Sequence, residues 1–162
     1  MTARVAVVMG STSDWPVMKN CFELLAELGI TADKHVISAH RMPAQLQEFG
    51  QTARDQGLKI IIAGAGGAAH LPGMLAANTT LPVIGVPMKS SNLNGLDSLL
   101  SIVQMPAGVP VGTMAIGPAG AKNAALYAAS ILGLQDEGVA QALTDYRQRQ
   151  TQASIDSEED LV

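Results

Sequence analysis

The run Ile60-Ile61-Ile62-Ala63, followed at once by Gly64-Ala65-Gly66-Gly67-Ala68-Ala69-His70 and then by Leu71-Pro72, decides the fold. A strand with no polar position cannot leave one face in water, so it belongs to a parallel sheet covered on both sides. The glycine-rich loop and the proline after it give the strand, loop and helix-start order of a crossover unit. The same order recurs on either side. Val5 to Met9, Val36 and Ile37, Val83 to Val86, and Val111 to Ile116 read as four further strands. Five strands with helices between them predict a parallel α/β domain.

Pro16 opens the first helix, whose apolar residues Val17, Cys21, Leu24, Leu25 and Leu28 share one face before Gly29 ends it. Pro43 opens a second helix to about Gln56. His70 to Asn78 and Gly95 to Gln104 make two more, and an extra C-terminal helix runs from about Asp136 to Gln150. Between them, Ala121 to Leu132 carries only Lys122, Asn123 and Ser130 as clearly polar side chains, clustered on one side. An outer helix of one small domain should show water a broader polar face, so part of this one is expected to be buried against another subunit, with cover by the final helix as the alternative. Residues 1–153 form one domain, and 154–162, acidic and without periodicity, read as a frayed tail.

The 162 residues are 48% hydrophobic and carry a net charge of -4, with Asp156, Glu158, Glu159 and Asp160 near the C-terminus. No basic stripe exists to neutralise nucleic-acid phosphates, and 3% aromatic residues leave few stacking platforms. One cysteine, Cys21, cannot make an intrachain disulfide, and neither a leader nor a long apolar span is evident. The expectation is a cytoplasmic protein bound to neither nucleic acid nor membrane.

In open parallel sheets ligands gather beyond the carboxyl ends of the strands. Three loops there stand out: Gly10-Ser11-Thr12-Ser13-Asp14, Ser38-Ala39-His40-Arg41-Met42-Pro43, and Gly64 to His70. Ser11 and Ser13 can donate to a phosphate and Asp14 can accept from a ribose hydroxyl, although all three residue types also cap helices. Arg41 offers a charged fork to the same phosphate, or is a solvated surface charge. His40 sits between a strand and a helix start, where a cation and the helix dipole favour a neutral imidazole that can shuttle protons. His70 suits a structural or a substrate-orienting role, and His35, inside a strand, a structural one.

Gly64-x-Gly66-x-x-Ala69 formally matches the dinucleotide fingerprint, but nothing acidic lies between Asp55 and Asp97 to take the ribose. None of the five lysines follows a glycine, so a P-loop cannot be written. Metal ligands and a nucleophile elbow are missing too, so no cofactor or metal is expected. What remains is acid-base chemistry on a small phosphorylated ligand.

Four strings taken together resemble one family: Met9-Gly10-Ser11-x-Ser13-Asp14-Trp15, Ser38-Ala39-His40-Arg41, Gly64 to Met74, and Asp97 to Pro106. From about Arg4 to Gln150 the chain is similar to class I PurE, the N5-carboxyaminoimidazole ribonucleotide mutases. The resemblance implies a three-layer flavodoxin-like domain in a homo-octamer. Its reaction moves a carboxyl group from the exocyclic amine of an imidazole ribonucleotide to ring carbon 4, through release and recapture of carbon dioxide. By the same resemblance Ser11, Ser13, Ser38 and Arg41 hold the phosphate and Asp14 the ribose. Ala39 belongs to the same binding set, Gly66, Gly67, Ala68, His70 and Leu71 cover the base, and His40 is the acid-base catalyst. Arg41 and the Gly64 to Met74 loop favour the mutase over class II enzymes, which carboxylate aminoimidazole ribonucleotide directly and typically show Ser-Ala-His-Lys. Ala44 and Ala107 depart from the commonest class I pattern. A non-catalytic flavodoxin-like binding domain is the rival of a different kind.

Overall fold

The structure, a computed structural model, describes residues 4–161. Five strands, β1 (Val5–Met9), β2 (Ala32–Val36), β3 (Ile60–Ala65), β4 (Val83–Pro87) and β5 (Gly112–Thr113), form one sheet in the order β2-β1-β3-β4-β5. Every pairing is parallel. The order is that of a flavodoxin-like sheet, and the chain reverses its direction of winding between β1 and β3.

Period-two alternation sorts the strand residues between two cores. Val5, Val7, Met9, Ile60, Ile62, Ile84 and Val86 face α1 (Trp15–Glu27) and α5 (Pro118–Leu132). Ala6, Val8, Ile61, Ala63 and Ala65 face α2 (Pro43–Thr52), α3 (Leu71–Ala77) and α4 (Leu96–Val103). Central β1, β3 and β4 are buried at every position, as their unbroken apolar runs require. Edge strand β2 reads Ala-Asp-Lys-His-Val and is largely exposed, which is why its apolar signal began only at Val36. Edge strand β5 keeps two residues of the expected Val111 to Ile116.

The apolar side of α5 is explained inside the chain. Ala121, Ala124, Ala125, Ala128, Ala129 and Leu132 pack with Met18, Cys21, Leu24 and Leu25 of α1. Val139, Ala142, Leu143 and Tyr146 of α6 (Glu137–Asp156) complete the cover. The alternative to the expected subunit contact, cover by the final helix, holds for these residues together with α1, so the stripe by itself is no argument for another subunit. Helix α6 is also longer than expected, reaching Asp156, with a 3-10 turn over Ser157–Asp160 where an irregular tail was expected from Ser154. Once its first turns are packed, each further residue adds a backbone bond, and i,i+4 pairs such as Gln152 to Asp156 support the exposed end. Val162 of that tail lies outside the described residues. Asp136 starts α6 by accepting from the Val139 N–H, and its carboxylate takes the Arg4 guanidinium at 2.6 Å.

Candidate active site

The loops after β1, β2, β3 and β4 enclose a cavity of about 390 Å³ above the point where the winding reverses. Ser11, Ser13, Asp14, Ser38, Ala39, His40, Arg41, Gly66, Gly67, His70 and Leu71 all line it, so three loops that are distant in sequence meet in one place. Ala68 does not: it is exposed and stands outside the lining. A fourth contribution was missed by sequence reasoning, namely Met88, Lys89, Ser90 and Ser91 after β4. The rule that located the first three loops applies equally to this one, and Lys89-Ser90-Ser91 is a polar signal directly after a buried strand.

At the β1 and β2 end, hydroxyls and one guanidinium face the cavity. Ser11 caps a short 3-10 turn (Thr12–Asp14), its oxygen accepting from the Ser13 N–H and from the Ser13 hydroxyl. The capping role considered for this loop is thus real for Ser11. Asp14 precedes α1 but makes no side-chain cap bond to it. Burial pushes the Asp14 carboxyl above its ordinary range, with a Ser13 hydrogen bond working in the other direction. Arg41 donates through Nε to Oγ of the buried Ser38 at 3.1 Å. Among the described residues no carboxylate pairs with Arg41, so its terminal nitrogens can meet an anion.

In the middle of the cavity His40 Nε2 lies 2.6 Å from His70 Nδ1, with the rings edge to face. One imidazole donates and the other accepts, so the contact fixes complementary proton positions on the two rings. Leu71 opens α3 directly behind His70. His35 instead packs on Phe49, away from the cavity, in a structural place. Trp15 is likewise outside, edge-on to Phe22 with the Lys34 ammonium over its ring.

Along the loop after β3 glycine backbone forms part of the wall. Gly67 takes φ +67° and Ala69 φ +29°, so the loop turns where glycine is favoured. Cys21 takes no part in the cavity: it is fully buried, and burial pushes its thiol up to about 12. Among the described residues no group of three or more His, Cys, Asp or Glu could hold a metal ion. No helix among them is long and apolar enough to cross a membrane.

Fold and site together define a flavodoxin-like α/β protein with a histidine pair in a ligand cavity at the topological switch point. The AIR carboxylase family model matches residues 4–153. An N5-carboxyaminoimidazole ribonucleotide mutase of Bacillus subtilis is 57% identical over 162 residues, covering 100% of both chains. The mutase of the same name from Brucella melitensis is 58% identical over 153 residues, covering 94% of each. Among solved structures, the crystal structure of Treponema denticola PurE superposes with a TM-score of 0.86 at 26% identity, over 97% of each chain. The chain belongs to the AIR carboxylase family.

Proposed function

We infer that this protein is an isomerase of purine biosynthesis that moves the carboxyl group of N5-carboxyaminoimidazole ribonucleotide from the exocyclic amine to ring carbon 4. The assignment follows the full-length relatives at 54% to 58% identity. The observation that carries the chemistry is His40 in hydrogen-bond contact with His70, between the hydroxyls and guanidinium after β1 and β2 and the glycine loop after β3.

In this reading the substrate phosphate lies against Ser11, Ser13, Ser38 and Arg41, and the ribose against Asp14. Ala39, Gly66, Gly67, His70 and Leu71 contact the base, and the base's reacting edge faces His40. The carbamate N–C bond breaks, its electron pair returns to nitrogen as carbon dioxide leaves, and His40 supplies the proton that nitrogen takes up. Ring carbon 4 then attacks carbon dioxide, and the proton displaced from carbon 4 returns to His40. Protons and electrons balance over the cycle. Keeping the released carbon dioxide beside carbon 4 gives it a high effective concentration, which favours recapture over escape.

A homo-octamer and a cytoplasmic location belong to the same reading. Exposed Leu96, Leu100 and Val103, which share one face of α4, supply an apolar surface that assembly would cover. Conversion of unlabelled substrate in excess labelled bicarbonate tests the reaction. Early product that keeps the substrate's own carboxyl carbon is expected. Label that reaches the bath ratio at once, without prior exchange of substrate, would mean direct carboxylation from solution and would overturn the mutase reading.

A further inference from the structure

Three of the four strings that mark the family fall in the cavity wall, but Asp97 to Pro106 does not line the cavity at all. It forms α4, behind the wall, and it carries a fully buried serine. Ser98 has 0% exposure on a helix whose other inward residue at that depth is Ile102. Buried or half-buried serines in helices ordinarily return their hydroxyl to the carbonyl four residues back. Ser101 does so to Asp97, and Ser130 to Leu126. Ser98 instead donates to the Met88 carbonyl at 2.7 Å and accepts from the Gly67 N–H at 3.0 Å.

Those two partners are not arbitrary. The β3 and β4 ladder continues past its last paired residues with Met88 N–H donating to the Ala65 carbonyl at 2.8 Å. In a parallel ladder the next bond would run from the Gly67 N–H to the Met88 carbonyl. The Ser98 hydroxyl stands in place of that bond, taking the N–H on one side and giving its proton to the carbonyl on the other. It therefore bridges the two strand ends where the cavity begins. The loops are close at this point: a Cβ on Gly66 would meet the Met88 Cβ at 3.2 Å. Neighbouring groups hold the helix in register. Asp97 accepts from the Ser90 hydroxyl at 2.6 Å, and Ser90 accepts from the Gly95 N–H. The Ser101 hydroxyl lies 3.3 Å from the Gly67 carbonyl but only 2.7 Å from that of Asp97, so its hold on the loop is the weaker.

We propose that Ser98 is a positioning residue, a hydroxyl wedge between the ends of β3 and β4 that sets the shape of the glycine wall and so the retention of carbon dioxide. The role rests on the mutase reading, and it acts through backbone that touches substrate rather than on substrate itself. Ser98→Ala removes the wedge and leaves the phosphate end untouched. Turnover should fall by about 10- to 100-fold, the range a misplacement near 1 Å produces. KM should change far less than kcat, and more label from bicarbonate should enter each product formed. Ser101→Ala, with its weaker hold, should stay within about twofold of the parent in label uptake.

The measurements are steady-state kinetics and labelled-bicarbonate incorporation on the full chain, with circular dichroism to establish folding. A folded Ser98→Ala with parental turnover and labelling overturns the wedge. Equal effects from Ser98→Ala and Ser101→Ala would also overturn it, since that pattern means only a weakened α4. If Ser98→Ala does not fold, Ser98→Cys, slightly larger and with a thiol that bonds weakly, fills the site and should show the same shifts in smaller measure; parental behaviour there is equally fatal. A parent protein that does not isomerise the substrate would sink the proposed function itself, a result separate from any difference between variants.

Discussion

At the β1 and β2 end of the cavity the lining is rich in polar side chains: the hydroxyls of Ser11, Ser13 and Ser38, the Asp14 carboxylate and the Arg41 guanidinium. Along the loop after β3 the wall is largely peptide, Gly66 and Gly67, backed by a helix that does not line the cavity, while Met88, Lys89, Ser90 and Ser91 after β4 close that end. Side chains recognise a ligand by charge and hydrogen bonds and can be deleted one at a time. A backbone wall recognises by shape, so its weak points lie at residues that hold it and at its φ angles. His40 and His70 stand where the two kinds of surface meet.

The sharpest break in that comparison is His40→Asn, which belongs to neither end. General acid-base groups contribute about 10²–10⁴-fold, and in the proposed mechanism His40 serves two proton transfers, so turnover should fall to the bottom of what an assay detects. Titration calorimetry should show product binding largely unchanged. Retention of near-parental turnover would remove His40 from the chemistry.

Arg41→Ala tests the side-chain end alone. Loss of a charge-assisted hydrogen bond is worth about 1.5 to 3 kcal/mol, which is roughly 10- to 150-fold in affinity. Binding of the phosphorylated ligand should weaken by that factor while its dephosphorylated nucleoside is hardly affected. Equal losses for the two ligands would place the phosphate elsewhere. Ser11→Ala should show the same preference in smaller measure, since its hydroxyl is neutral and partly engaged by Ser13.

Gly67→Ala probes the backbone end. A Cβ there meets nothing within 4 Å, so the cost is conformational: φ +67° asks an L-residue for the left-handed region, at about 1 to 2 kcal/mol. Urea unfolding should show that loss. Turnover should fall more than ligand affinity does, the reverse of the Arg41 pattern. An affinity loss without a turnover loss would erase the distinction between the two ends.

The smallest effect concerns Asp14 and pH. Burial raises its carboxyl, so the native state binds the proton more tightly than the unfolded chain does. Its contribution to stability is then full below the unfolded-state value and is lost as pH rises through the folded one. Asp14→Asn, which carries no charge, should melt slightly higher than the parent at neutral pH, and the gap should close as pH falls through the carboxylate range. A gap that widened on acidification would reverse the sign. Asp136 behaves oppositely: its bond to Arg4 lowers its carboxyl, so that stability is present at neutral pH and lost as pH falls.

Three of the four cavity loops were readable because each follows a strand that is apolar or near an apolar start, and each carries polar or glycine residues where the rule for parallel sheets says to look. The loop after β4 obeys the same rule, whereas the contact of α4 with the two strand ends leaves no trace in the sequence. Ser98 in isolation is one serine in a helix, with nothing in its spacing to say that its hydroxyl faces the gap between two strand ends. Nor does the α5 pattern say what covers it. An alanine-rich stripe signals burial, whereas the covering element, α1 and α6 of the same chain, is a fact of packing.

The sequence by itself determined a parallel sheet, because Val5 to Met9, Ile60 to Ala63 and Val83 to Val86 have no polar side to give to water. It also determined the local chemistry of each loop and, through four strings in order, the family. Only the tertiary structure decided that His40 and His70, thirty positions apart, share a hydrogen bond at 2.6 Å. It alone decided that β2 is an edge strand, that α6 continues to Asp156, and that Ser98 occupies the ladder position between Gly67 and Met88. The reason is range. Burial and turn chemistry act between residues a few positions apart and leave periodic traces, whereas a contact across the sheet depends on strand order and register, which no short window encodes.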